Sequence, residues 1–177
     1  VGLIASTEGK KSRKVVEYGI NALKAVFHRG AVDADGKTGD GAGIHLEIPS
    51  DFFSEKIEIT GHKHDGSEIC VGMIFLPRNN YEAQENARTL IESELTKSNF
   101  SIYGWRQVPV NPEVLGEKAN LTRPEITQVL FKHNDRNLTG KKLERKLYES
   151  RRKIENKAIK NQLEGFYICS LSSKSII

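Results

Sequence analysis

The sequence predicts an α+β domain, with sheets covered by helices. Three observations carry this expectation. Strand-sized apolar or alternating runs recur along the chain. Two long segments, Asn80 to about Lys97 and about Lys141 to Lys160, have apolar residues at helical spacing. The order of strands and helices shows no regular βαβ rhythm, and several strands follow one another directly, which argues against an all-parallel sheet.

Val1 to Ala5 reads as a short apolar strand. Lys10 to Lys14 is a basic loop in which Ser12 can cap a helix. Val15 to Phe27 is helical, with Val16, Ile20, Leu23 and Phe27 on one face. Arg29 to Gly43 is rich in Gly and Asp and reads as loop. Ile44 to Ile48 alternates like a half-buried strand, and Pro49 ends it. Ser50 to Phe53 is a short helix with Ser50 or Asp51 as the cap, and Thr60 to Ser67 is a polar turn. Ile69 to Leu76 is a buried strand. The helix from Asn80 turns Ala83, Ala87, Leu90, Ile91 and Leu95 inward. Phe100 to Val110 is a strand broken by Pro112, and Ile126 to Lys132 is another. Leu143, Leu147, Ile154 and Ala158 line the second long helix. Phe166 to Leu171 is a strand, and Ile176 begins one more.

The bulk composition narrows the class. Of 177 residues, 37% are hydrophobic and 28% charged, a balance that supports a globular core. No apolar run approaches the roughly 20 residues of a membrane span. A signal peptide is not expected, because the apolar start is short and no basic region precedes it. The chain opens on Val1 and stops in Ser175-Ile176-Ile177, so both ends are expected to be cut from something longer. Net charge is +4, and the bases crowd into Lys141, Lys142, Arg145, Lys146, Arg151, Arg152, Lys153, Lys157 and Lys160. Glu144, Glu149 and Glu155 are interleaved, so a solvated helix face is expected and no nucleic-acid partner. Cys70 and Cys169 sit in apolar strand runs and read as buried free thiols of a reducing compartment. Tyr103 and Trp105 read as core residues of a strand. His62, His64 and Asp65 lie in a polar turn and read as surface residues, with no metal expected.

The segment that invites chemistry runs from His28-Arg29-Gly30-Ala31 to Thr38-Gly39-Asp40-Gly41-Ala42-Gly43. Glycine permits close backbone approach to a ligand. Arg29 can clamp a carboxylate through a planar two-point contact, and Asp40 can receive an α-amino group. Two readings stand side by side. The loop suits a small zwitterion; equally, its glycines serve turn geometry, with Arg29 in a structural ion pair. It is no phosphate loop, for no Gly-Lys-Ser/Thr ending and no following helix are present.

Ala22-Leu23-Lys24, His28 to Ala31, Ala34-Asp35 and Gly39 to Ile44 together resemble the amino-terminal glutaminase domain of glutamate synthase large subunits. That domain is a class II glutamine amidotransferase, of the N-terminal-nucleophile hydrolase type. The likeness continues through Ile48-Pro49, Asp51-Phe52-Phe53, Val71 to Pro77, Gly104-Trp105-Arg106, Val108-Pro109-Val110 and Val114-Leu115-Gly116. It runs on through Arg145 to Tyr148, Arg152 to Glu155 and Phe166 to Ser173, in the family's order along nearly the whole chain.

The resemblance implies a four-layer αββα sandwich, of which residues 1–177 are roughly the first half of one domain. It implies hydrolysis of glutamine to glutamate and ammonia, for transfer to 2-oxoglutarate. The family's mature chain begins Cys-Gly-Val-Gly, which matches Val1-Gly2 from its third residue, so the nucleophilic cysteine would precede Val1. No catalytic residue is expected in this chain, and the oxyanion hole would lie further along the domain. Arg29, Gly30, Gly39, Asp40 and Gly41 are the substrate-binding residues that the resemblance implies. No cofactor is expected here; FMN and an iron–sulfur cluster would belong to the rest of a glutamate synthase. The implied partners are glutamine, the remainder of the large subunit and a small subunit, in the cytoplasm. The alternative is a truncated relic that folds or associates without catalysis.

Overall fold

The computed structural model describes residues 1–177, which form two compact units. The first comprises Val1–Leu46 and Val110–Thr122; the second comprises Glu47–Pro109 and Arg123–Ile177.

In the first unit, helix α1 spans Arg13–Ala25. Ser12 caps it as expected: its hydroxyl accepts the Lys14 N–H at 3.2 Å. The anticipated apolar face is less covered than its spacing suggests. Val16 and Ile20 are half-buried, but Leu23 and Phe27 are exposed. A tight 3-10 turn, Phe27–Arg29, follows. Val1 to Ala5 is not a strand; Val1, Leu3 and Ile4 are exposed. Apolar composition makes a strand only where a partner supplies the ladder. Strand β1 covers only Leu46–Glu47 of the expected Ile44 to Ile48 and reaches the boundary of the two units.

The second unit holds helix α2 (Ser50–Ile59), strand β2 (Cys70–Leu76), helix α3 (Tyr81–Lys97) and strand β3 (Phe100–Gln107). In the first unit, Pro112–Val114 is a 3-10 turn and α4 spans Glu117–Thr122, where no helix was anticipated. The second unit resumes with β4 (Glu125–His133), α5 (Gly140–Lys160), β5 (Tyr167–Ser172) and β6 (Ser175–Ile176). Helix α2 is longer than the four residues expected, because Phe53 and Ile57 both turn to the core. Its N-cap is Pro49, without a side-chain bond, and not Ser50 or Asp51.

Strands β3-β4-β2-β5 form one antiparallel sheet in that order. One face carries Cys70, Ile74, Phe100, Val129, Phe131 and Ile168 against Ala87, Ile91 and Leu95 of α3 and Leu143, Leu147 and Ile154 of α5. Each buried aliphatic side chain contributes roughly 1.5–3 kcal/mol relative to exposure. Glu94, almost enclosed on α3, joins the two helices: it takes Lys157 of α5 at 2.8 Å and Lys97 at 2.9 Å. Those ammonium groups hold its carboxyl below the ordinary carboxylate range. Arg145 and Arg151 pair with Glu149 and Glu155 one turn on, so the α5 bases do form an ion-paired face.

Two bulges break the alternation of the outer strands. The pairing steps from Ile102↔Phe131 to Gly104↔Leu130, leaving Tyr103 as the extra residue. Gly104 takes φ +149° there, and a Cβ at this position would come within 3.0 Å of Thr60 Cγ2. Trp105 therefore packs on the helix-side core and donates to Glu92 of α3 at 2.7 Å, whereas Tyr103 meets His62 and His64. On β5 the register moves from Met73↔Ser170 to Ile74↔Ile168, so Cys169 is left over. Cys169 is consequently half-buried, a correction to the expectation of a buried thiol; Cys70 is fully buried. No helix is long and apolar enough to cross a membrane.

Candidate functional site

The Arg29 to Gly41 loop is a short hairpin within the first unit. The Arg29 N–H donates to Val26 O at 2.9 Å and the Gly30 N–H to Phe27 O at 3.0 Å, so the tight turn fixes the backbone at Arg29. The strand-like rails then pair. Asp40 Oδ2 accepts the Ala31 N–H at 2.9 Å, Val32 forms an antiparallel bridge with Gly39, and the Asp33 N–H donates to Thr38 O at 2.7 Å. Gly41 has φ +79°, a conformation that side chains with a Cβ rarely adopt. All five expected residues, Arg29, Gly30, Gly39, Asp40 and Gly41, thus lie at the base of one hairpin.

The charges in this hairpin are distributed unevenly. Asp33 accepts Lys118 at 2.7 Å through Oδ2 and the Ala34 N–H at 2.6 Å through Oδ1. Asp35 accepts the Lys37 and Thr38 N–H groups at 2.9 and 2.7 Å, and the Thr38 hydroxyl at 2.5 Å. These bonds, the Thr38 hydroxyl foremost, pull the Asp35 carboxyl down to about 2. Asp40 braces the loop through Ala31. Arg29 is exposed, and its guanidinium has no ion-pair or hydrogen-bond partner. A structural ion pair for Arg29, one of the two readings open in the sequence, is therefore not formed.

Elsewhere the chemistry is sparse. Burial first, then the charges of Glu68 and Glu144, push the Cys70 thiol well above its ordinary range; burial also raises Cys169. His64 is a bracing residue: Nδ1 meets the Ser54 hydroxyl at 2.9 Å and Nε2 the Ser67 carbonyl at 2.8 Å. Asp65 binds Lys132 of β4 at 2.5 Å and Arg136, just beyond that strand, at 2.8 Å, an ionic clasp on the turn. No three or more His, Cys, Asp or Glu side chains gather to hold a metal ion. A concavity of the second unit, about 610 Å³, lies between the end of α5 and β5, lined by Ile159, Leu163, Phe166 and Tyr167 among others. None of the expected site residues lines it.

Compared with known families, residues 1–177 match the family model for glutamine amidotransferases class-II. The chain belongs to the class-II glutamine amidotransferases. Its mixed α/β architecture, with an antiparallel sheet and covering helices, is that expected of such a domain. It is 51% identical over 177 residues to the glutamate synthase [NADPH] large chain of Azospirillum brasilense, all of this chain against 12% of that protein. It is 38% identical over 182 residues to a ferredoxin-dependent glutamate synthase of Pyropia yezoensis, covering 11% of it. It is also 38% identical over 180 residues to the chloroplastic/mitochondrial ferredoxin-dependent glutamate synthase 1 of Arabidopsis thaliana, again covering 11%. The chain therefore spans about a tenth of the length of these relatives. In this class-II amidotransferase chain, Asp35, Thr38 and Gly116 stand in segments that the sequence analysis singled out without giving these residues a role. For Asp35 and Thr38 the local signal is an Asp three residues before a Thr, a pattern that forms Asx turns.

Proposed function

We propose that this chain is the first half of a glutaminase domain within a glutamate synthase, and that Arg29 receives the α-carboxylate of glutamine. The observation that carries this reading is a glycine-flanked arginine, in the family-matched hairpin, whose fork is exposed and unpaired. Gly30, Gly39 and Gly41 allow the substrate to approach the backbone, and the free side of Asp40 faces the same task for the α-amino group. The nucleophile in this reading is a cysteine ahead of Val1, whose own α-amino group takes the thiol proton. The thiolate attacks the glutamine amide carbon, ammonia leaves, and water releases glutamate from the thioester. Neither Cys70 nor Cys169 suits that role, since a raised thiol pKa keeps the thiolate scarce. The ammonia would pass to 2-oxoglutarate in the remainder of the large subunit, where flavin, iron–sulfur cluster and small subunit would meet. A reducing compartment such as the cytoplasm suits the two free thiols.

The test uses an intact parent enzyme. Arg29→Lys keeps the charge and loses the planar fork. A lost charge-assisted contact of roughly 1.5–3 kcal/mol predicts a kcat/KM for glutamine lower by about 10- to 150-fold, chiefly through KM. An unchanged KM would remove Arg29 from the glutamine site.

A further inference from the structure

We propose that Asp35 is a positioning residue for glutamine binding: its carboxylate and Thr38 shape the tip of the Arg29–Gly41 hairpin to seat against Gly116, and so set the backbone that carries Arg29. The proposal rests on the assignment of glutamine to Arg29. Asp35 touches no substrate in it.

The contacts are unusual for so exposed a turn. Ala34, Asp35, Gly36 and Lys37 are all exposed, so the turn buries little apolar surface, yet the Asp35 carboxylate takes three bonds from Lys37 and Thr38. On its other side stands Gly116. A Cβ there would lie 2.1 Å from Thr38 Oγ1, 2.4 Å from Asp35 Oδ2 and 2.4 Å from Thr38 N. Only glycine permits that approach of the Gly116 backbone to Thr38 and Asp35. The Lys118–Asp33 pair joins the same two segments, but Lys118 is well solvated and the pair alone holds weakly.

The position of Arg29 follows from this anchor through the hairpin rails. Asp33–Thr38, Val32–Gly39 and Ala31–Asp40 pair in succession from the tip to the base. Gly30 and Arg29 then pass directly into the 3-10 turn. A shift of the tip is passed along these pairs to the backbone at Arg29. Bidentate recognition of a carboxylate tolerates little displacement, and a misplacement of about 1 Å is enough for a large loss.

The test compares four variants of an intact parent enzyme: Gly116→Ala, Thr38→Val, Asp35→Asn and Arg29→Lys. Glutamine saturation curves are measured beside thermal unfolding. Gly116→Ala alters no side chain of the hairpin itself but displaces it; glutamine KM should rise by about tenfold or more, with kcat within about twofold. Thr38→Val keeps shape and removes one bond, and should raise KM by about threefold. Asp35→Asn should raise KM more than Thr38→Val does, because it loses the charge that all the donors share. A merely structural Asp35 would lower the unfolding temperature and leave KM unmoved. If Gly116→Ala does not fold, the near-isosteric Thr38→Val decides. Unchanged KM in the hairpin variants, beside a raised KM in Arg29→Lys, overturns the positioning role alone. Unchanged KM in Arg29→Lys overturns the glutamine assignment beneath it. A fall in kcat at constant KM in the hairpin variants also overturns the positioning role.

Discussion

Gly72 gives the sharpest quantitative expectation for the sheet. It lies in the middle of β2, opposite Val129 of β4 and Leu171 of β5. A Cβ at this position would come within 2.7 Å of Val129 Cγ1 and 2.8 Å of Leu171 Cδ1. Apolar carbons rest at about 3.5–4.0 Å, so both contacts are too short by well over half an ångström. The two neighbours differ in how they can respond. Leu171 can swing its tip, but Val129 is β-branched with a stiff χ1 and is fully buried. Overpacking of this kind costs about 1–3 kcal/mol. Replacing glycine in a strand returns roughly 0.5–1 kcal/mol of backbone entropy. Gly72→Ala should therefore destabilise the second unit by about 1–2 kcal/mol. The assay is urea unfolding followed by fluorescence of Trp105, the single tryptophan, which packs on the same core. The midpoint should fall with the slope unchanged. Adding Val129→Ala removes the stiff neighbour, so the double variant should show a favourable coupling of at least about 0.5 kcal/mol. Gly19→Ala is the opposite case: nothing lies within 4 Å of its Cβ, and α1 should gain about 1 kcal/mol. A Gly72→Ala chain as stable as its parent, or a double variant that is merely additive, would refute the packing described for β2.

Two further outcomes are expected. The thiols should react in order: Cys169, half-buried at the β5 bulge, should be alkylated in the folded chain, while Cys70 should wait for unfolding, and equal rates would contradict the burial of Cys70. Asp35 has its folded pKa lowered from 3.8 to about 2, so whatever it contributes is fully present above pH 3.8 and is lost as pH falls through about 2. The amide resonance of Thr38 should titrate with a midpoint near 2, and a midpoint at the ordinary 3.8 would show that the Asp35 bonds do not form.

The long elements were legible because burial imposes a period on them. Ala87, Ile91 and Leu95 on α3, and Leu143, Leu147 and Ile154 on α5, recur at helical spacing and all enter the core. Central strands β2 and β4 were legible for the same reason, being apolar runs bounded by turns. The failures share a physical cause, for each depends on a neighbour remote in sequence. A bulge at Tyr103 is decided by pairing with β4, and it sends Tyr103 and Trp105 to opposite faces although alternation alone puts them together. Cys169 is left half-buried by the equivalent step against β2. The short α4 offers no long apolar period to read, and it has no buried residue of its own.

The same division explains what the sequence could say of the hairpin. Arg29 among glycines and aspartates supports either a ligand clamp or an internal ion pair, because both need a fork with an acid in reach. Three aspartates stand in the loop, so composition favours neither reading. Geometry separates them by where each acid is used. Asp33 is taken by Lys118, 85 residues away, Asp35 by Thr38 and Asp40 by the Ala31 N–H. Each acid has a partner within the same unit, and the Arg29 cation is the group left over. An exposed guanidinium in water is stable without a partner, so nothing in folding requires this arrangement. On the reading proposed for Arg29, this arrangement prepares the fork for a carboxylate: the competing internal acids already have partners, and the backbone around Arg29 is held by hydrogen bonds.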